Sequence, residues 1–264
     1  MEPRVVRISI APVKALRLVH PREVALTPEG VAGDRRFWLA TAEGRLVNDK
    51  VFPTLLRVVS EWDEATRRLV LSLPDGRRVE GVVEVGEPVV PLLRTDPHPS
   101  RRVSGPWQDA LSEYVGEPLT LYWSESGAVD RGTGGGAASL VSRGSLERLR
   151  EEAGAEEPVD GRRFRMLFEI DGVGEHEEDE WIGRRVCVGE AVIAPLGDVG
   201  RCVVTTLDPE AGVGDLDTLE VLAGYRREGR TEPLPLGVHG AVVRPGRVRV
   251  GDPVRLLVAA AVEA

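Results

Sequence analysis

The chain has 264 residues, a formal net charge of −9, 42% apolar residues and 29% charged residues. That is a globular composition sized for one large domain or two modest ones, and it excludes an intrinsically disordered chain. The longest apolar run, Leu256–Val262, is too short to span a bilayer, and the opening MEPRVVRISIAPVK has no apolar core of a secretory signal. The resulting expectation is a cytoplasmic protein with no membrane contact.

Charge is divided unevenly. Residues 1–124 carry 17 basic and 17 acidic side chains, whereas residues 125–264 carry 17 and 26. Neither half has the basic surface that a general nucleic-acid binder needs. All but two of the 34 basic residues are Arg; the exceptions are Lys14 and Lys50, and Asn48 is the single Asn. A bias of the source genome toward Arg explains those numbers. It also singles out Lys14, where Arg has not replaced Lys.

In chain order, Arg4–Ile10, Arg36–Ala40, Leu55–Ser60 and Arg67–Leu73 read as strands, the last closing at Pro74-Asp75-Gly76. Trp107–Val115 has helical apolar spacing and stops at Gly116. A glycine-rich loop covers Gly127–Ala138, and a helix is expected over Ser142–Glu152. Strands return at Phe164–Ile170, Arg185–Val188, Ala191–Ala194, Cys202–Thr206, Val242–Arg244 and Val254–Val258, with a short helix over Asp217–Tyr225. The fold class is therefore mainly β with a few short helices. The expected partition is a β-barrel-like domain over 1–97, a connector with a helix over 98–124, and a second β-barrel domain over 125–258.

Few residues carry chemistry. Gly132-Thr-Gly134-Gly-Gly-Ala137 fits a dinucleotide fingerprint in letters, but its β surroundings lack the required βαβ unit, so a loop approaching a ligand is the better reading. The acidic run Glu169–Glu180 reads as a solvated loop and His176 as a surface residue. Two cysteines are too few for a four-thiolate zinc or iron–sulfur site. Cys187, inside a strand, reads as packing. Cys202 follows Arg201, and a thiol beside a cation gains the thiolate character of a nucleophile or soft-metal ligand. Spacing alone leaves its role open.

Gly200-Arg-Cys-Val-Val-Thr-Thr-Leu-Asp-Pro-Glu-Ala-Gly212 resembles the core motif of the MOSC family, the molybdenum-cofactor sulfurase C-terminal domain. Matching pieces follow in order: Ala11-Pro-Val-Lys14, Gly33-Asp-Arg-Arg-Phe-Trp38, Asp160-Gly-Arg-Arg-Phe-Arg165, Glu178-Asp-Glu-Trp-Ile-Gly183, Tyr225-Arg226 and Pro245–Asp252. The resemblance implies a molybdopterin cofactor whose molybdenum is ligated by Cys202, the catalytic residue. It also implies cofactor contacts from Lys14, Arg35, Arg36, Arg165, Arg201 and Arg226, with main-chain groups of Gly135 and Gly136. Relatives of this architecture include amidoxime-reducing components and enzymes that reduce N-hydroxylated bases. The implied activity is thus reduction of small N-hydroxylated molecules by a molybdenum-cofactor oxidoreductase. Its electrons come from a separate redox protein, since two cysteines cannot hold a cluster. The alternative is a non-catalytic carrier in which Cys202 holds cofactor or a transferable sulfur. The chain departs from the family at Ala15, at Met166-Leu167 and at Gly134–Gly136, each change removing an expected polar contact.

Overall fold

Val5 and Ile8 are the buried residues of the first strand, with a register shift between Val5 and Arg7, and the strand's partner lies far along the chain. In the computed structural model, which describes residues 2–93, 96–129 and 136–257, Arg4–Ile8 pairs antiparallel with Phe168–Asp171. These two begin a seven-stranded sheet that continues through Ala138–Ser142, Pro235–Arg244, Ala191–Gly200, Arg185–Val188 and Val254–Leu257. Its edges meet where Val5 N–H donates to Asp252 O at 2.9 Å and Val254 N–H to Pro3 O at 2.8 Å. The sheet is a nearly closed barrel. Val5, Ile8, Leu140, Phe168, Val186, Ile193 and Val238, all essentially without solvent contact, fill its interior.

A second core lies among strands of the N-terminal half. Phe37–Thr41, Leu119–Ser124, Ser100–Ser104 and Glu84–Val89 form one sheet, and Val59–Asp63, Arg68–Ser72 and Arg78–Val82 form a meander. The segment 98–124, expected as a connector, supplies two of those strands, with the helix Pro106–Val115 between them. Pro106 at the first turn and left-handed Gly116 after the last bracket that helix. Trp107 is buried, and its indole N–H donates to Leu69 O at 3.0 Å. Gly105 accommodates it: a Cβ there would lie 2.2 Å from the ring.

The mainly β expectation holds, and several boundaries move. Leu55–Ser60 is not one strand. Pro53 opens a 3-10 turn through Arg57 that buries both Leu55 and Leu56, and the strand starts at Val59. Consecutive buried leucines suit a helical turn rather than an alternating strand. Phe164–Ile170 divides likewise: Asp160 caps a 3-10 turn over Gly161–Phe164, Arg165 adopts a left-handed conformation, and pairing begins at Phe168. Ala191–Ala194 and Val242–Arg244 are the ends of ten-residue strands, whose interior prolines and glycines hid the alternation. Register shifts at Pro195/Gly197 and Asp198/Gly200 bend the first of them before it reaches Cys202.

Candidate functional site

Where the bent strand Ala191–Gly200 ends, the chain turns into a cleft of about 650 Å³. Cys202 is on its wall, exposed, and is not the start of a strand. It precedes a 3-10 turn over Val203–Thr206. The turn is held by Thr205, whose N–H and hydroxyl both donate to Cys202 O at 3.0 Å. Arg163 reinforces it from beneath. Its buried guanidinium donates to Thr205 O and Leu207 O at 3.1 Å and forks onto Asp215 at 2.8 and 2.9 Å. The thiol therefore sits on a rigid support.

Arg201 lines the same cleft, and its guanidinium turns inward to Phe164 O, Met166 Sδ and Leu236 O. It braces the wall from which Cys202 projects. Asp198, also lining the cleft, is buried and accepts from the Thr231 and Arg230 N–H groups with one oxygen. His239 completes this side.

The facing wall comes from the N-terminal half. Lys14, Ala15 and Arg35 line it, together with Asn48, Asp49 and Lys50. Arg35 is buried, its Nη1 donating to both carboxylate oxygens of Asp34 at 2.7 and 2.8 Å and its Nη2 to Arg165 O at 3.1 Å. Arg165 reaches across to Leu16 O at 2.8 Å and to Asp49 at 3.4 Å. The two halves of the chain are thus stitched together by arginines along the cleft. Six cations line it against three carboxylates, although the protein as a whole is acidic.

Two family models cover most of the chain: the MOSC N-terminal beta barrel domain matches residues 2–112, and the MOSC domain matches residues 130–255. The chain belongs to the MOSC family. It is similar to mitochondrial amidoxime-reducing component 1 of Mus musculus, at 36% identity over 125 residues, covering 45% of this chain and 36% of that protein. The protein of the same name from Homo sapiens is 32% identical over 126 residues, with the same coverage. The chain therefore spans about a third of the length of these curated relatives. Among solved structures it is similar to the YUAD protein from Bacillus subtilis, at 12% identity and a TM-score of 0.44, covering 96% of this chain and 94% of that one.

In this MOSC protein the cleft gathers Cys202, Lys14, Arg35, Gly136, Arg165 and Arg201 from the residues expected at a site. Gly135 and Gly134 lie outside the described residues. Two expected contacts go elsewhere. Arg36 is not among the cleft-lining residues: Arg35 ends a turn with a left-handed backbone at φ +48°, and the next guanidinium, that of Arg36, lies 4.3 Å from the Trp123 ring. Arg226 sits behind the wall, donating to Asp179 at 2.7 Å and to Pro235 O at 3.0 Å. Its partner belongs to the acidic run, which is not a solvated loop. Glu178 is fully buried, accepts from Ser142 N and Ser145 Oγ, and has its carboxyl pushed up by burial. His176 is half-buried against Tyr225, its pKa lowered to about 4 by burial and by Arg226 and Arg148.

The departures from the family find their places here. Met166 lines the cleft and accepts from Arg201, whereas Leu167 faces the barrel core. Ala15 lines the cleft with φ +73°, an uncommon conformation for a residue with a side chain. Sequence reading missed Asn48, Asp49, Lys50 and Arg163. The signal for Asn48 and Lys50 was compositional, since the chain's only Asn and both of its lysines line the cleft; Asp49 and Arg163 carried none.

The donor set suits one kind of metal group. Among the described residues no cluster of three or more His, Cys, Asp and Glu side chains is arranged to hold a bare ion. A single exposed thiol in a cation-lined cleft instead fits a metal that arrives with its own sulfur ligands and carries a remote anionic group.

Proposed function

We propose that the cleft holds a molybdopterin cofactor, with Cys202 as the protein ligand of its molybdenum, and that the protein reduces N–O bonds of small N-hydroxylated molecules. The observation that carries this reading is the exposed Cys202 thiol on an arginine-braced turn at the wall of a cation-lined cleft. Similarity to amidoxime-reducing components over 45% of the chain, together with the MOSC domain, supports it. When bound, the cofactor supplies two-electron redox chemistry at molybdenum. The balance is R–NHOH plus two electrons and two protons to R–NH2 and water.

The chain's own residues do the rest. Cys202 supplies one soft ligand, fixed by the Thr205 hydrogen bonds to its carbonyl. Lys14, Arg35 and Arg165 present positive charge to the cofactor's anionic end, each set in place by neighbouring groups. Arg201 and Arg163 position the thiol through the backbone and do not reach out to a ligand. Electrons come from a separate redox protein. No helix among the described residues is long and apolar enough to cross a membrane.

The test is protein from a molybdenum-replete host, measured for metal content and then assayed with benzamidoxime and a reduced viologen dye. Wild type is expected to hold molybdenum near stoichiometry and turn over; NADH alone is expected to give no turnover. Cys202→Ser is expected to abolish turnover, whereas Cys187→Ala retains it. Molybdenum-free protein bearing a persulfide on Cys202 would replace this reading with the carrier.

A further inference from the structure

Among the described residues, Lys50 is the cleft cation that no side-chain hydrogen bond or ion pair holds in place. Arg35 is held by Asp34, Arg163 by Asp215, Arg165 by Asp49, and Arg201 by carbonyls, so each guanidinium has a fixed position. Among the described residues the Lys50 ammonium has no hydrogen-bond or ion-pair partner, although the residue lines the cleft and is exposed. Its backbone, by contrast, is tightly set. Asn48 Oδ1 accepts from Lys50 N–H at 2.9 Å, and Asn48 O accepts from Val51 and Phe52. The next residue back, Asp49, is buried and tied to Arg165 across the cleft. A fixed base carrying a long, uncommitted arm is a means of reaching a variable ligand.

Composition argues the same way. In a chain with 34 basic residues, only Lys14 and Lys50 are lysines, and both line this cleft. Lysine differs from arginine in being a compact, mobile point charge with no planar fork. Such a group suits an anion whose position changes from one ligand to the next. Depth separates the two lysines: Lys14 is buried, beside the arginines that face a resident cofactor, whereas Lys50 is exposed, where an incoming molecule arrives.

We infer that Lys50 is a specificity-determining residue that favours N-hydroxylated substrates carrying a carboxylate or comparable anionic group. This rests on the reductase reading above. It goes beyond it by naming the substrate class and the residue that selects it.

Binding of benzamidoxime and 4-carboxybenzamidoxime to the molybdenum-loaded protein, measured by calorimetry without any reductant, tests the inference. Without electrons there is no turnover, so the result does not depend on catalysis. Wild type is expected to prefer the carboxylate by about tenfold, a preference that shrinks as salt is raised. Lys50→Gln is expected to erase the preference, Lys50→Arg to keep most of it, and Lys50→Glu to reverse it, all with molybdenum content retained. Equal preference in wild type and Lys50→Gln would overturn the assignment. So would loss of molybdenum in Lys50→Gln, which would place the ammonium on the cofactor's phosphate. Failure of the reductase reading shows separately, as absence of viologen-driven turnover for both compounds.

Discussion

Arginines that face the cleft and arginines just outside it are held in different ways. Arg35, Arg163, Arg165 and Arg201 each have at least one oxygen acceptor from a distant part of the chain: Arg165 O for Arg35, which also holds its neighbour Asp34; Asp215 and Thr205 O for Arg163; Asp49 and Leu16 O for Arg165; Phe164 O and Leu236 O for Arg201. Arg36 instead lies on Trp123, within a cluster of Phe37, Trp62 and Trp123 whose rings meet edge to face. The first arrangement fixes backbone carbonyls and so sets the shape of the cleft; the second packs a cation against apolar surface. Cleft geometry should therefore be sensitive to single arginine substitutions in a way that the aromatic cluster is not.

Arg163 offers the largest contrast. Arg163→Met keeps length and apolar stem while removing the donors to Thr205 O, Leu207 O and Asp215. The expected loss is about 2–3 kcal/mol in urea unfolding, less than for a fully buried pair because Asp215 is partly exposed. Molybdenum content should fall with it, because the released carbonyls belong to the turn that carries Cys202. An unchanged unfolding midpoint with full metal content would mean that the turn holds itself.

The reach of sequence reading follows the same division. Alternating strands and the helix Pro106–Val115 were legible because period and caps are local signals. The long strands Ala191–Gly200 and Pro235–Arg244 were read only at one end, because bulges at Pro195 and Gly197 and close approaches at Gly237 and Gly240 break the alternation there. Cys202, Lys14 and Arg165 were found through motif letters, and the cleft does bring them together. The direction of a side chain was not in those letters. Arg36 shares a motif with Arg35 and lies on Trp123 instead. The acidic run misled because burial of Glu178 depends on Ser142 and Ser145, more than thirty residues earlier, folding onto it. Lys50 needed composition and structure together.

A second test probes the support behind the wall, where Arg226 sits with His176. His176 titrates near 4 in the folded protein, against an ordinary value of 6.5, because burial and then the Arg226 and Arg148 charges disfavour its protonation. The unfolded chain therefore takes up a proton on falling below about pH 6.5 that the native state refuses. The histidine's stability contribution is complete above pH 6.5 and is lost progressively as pH falls toward 4. Glu178 and Asp179, pushed up by burial, act in the opposite sense. Comparison with a variant isolates the histidine. Among the described residues both buried ring nitrogens of His176 lack hydrogen-bond partners, so His176→Phe keeps the tilted ring contact with Tyr225 at little cost. The wild-type urea midpoint should drop more than the variant's between pH 7 and pH 5. Parallel curves would place the ring in contact with water.

The smallest effect is expected at Arg36, and its smallness is the point. Its guanidinium gains about 0.5–2 kcal/mol from the Trp123 face. Against this stands burial, which lowers its pKa despite the nearby Glu64 and Glu125, and an Nε that is buried with no hydrogen-bond partner. The two contributions oppose each other. Arg36→Met keeps the apolar contact with Trp123 while removing both the attraction and the desolvation cost, so stability should change by no more than about 1 kcal/mol. Molybdenum content should stay at the wild-type level, because Arg36 is absent from the residues that line the cleft. Arg35→Met, one residue away, should lower that content, since it removes the guanidinium from the buried Asp34 carboxylate, which keeps the Ala11 N–H, and removes the Arg35 donor to Arg165 O. Metal analysis of the two purified variants side by side decides the matter. Loss of molybdenum from Arg36→Met with retention in Arg35→Met would mean that the cofactor-facing arginine of the Asp34-Arg-Arg-Phe37 motif is the second one after all.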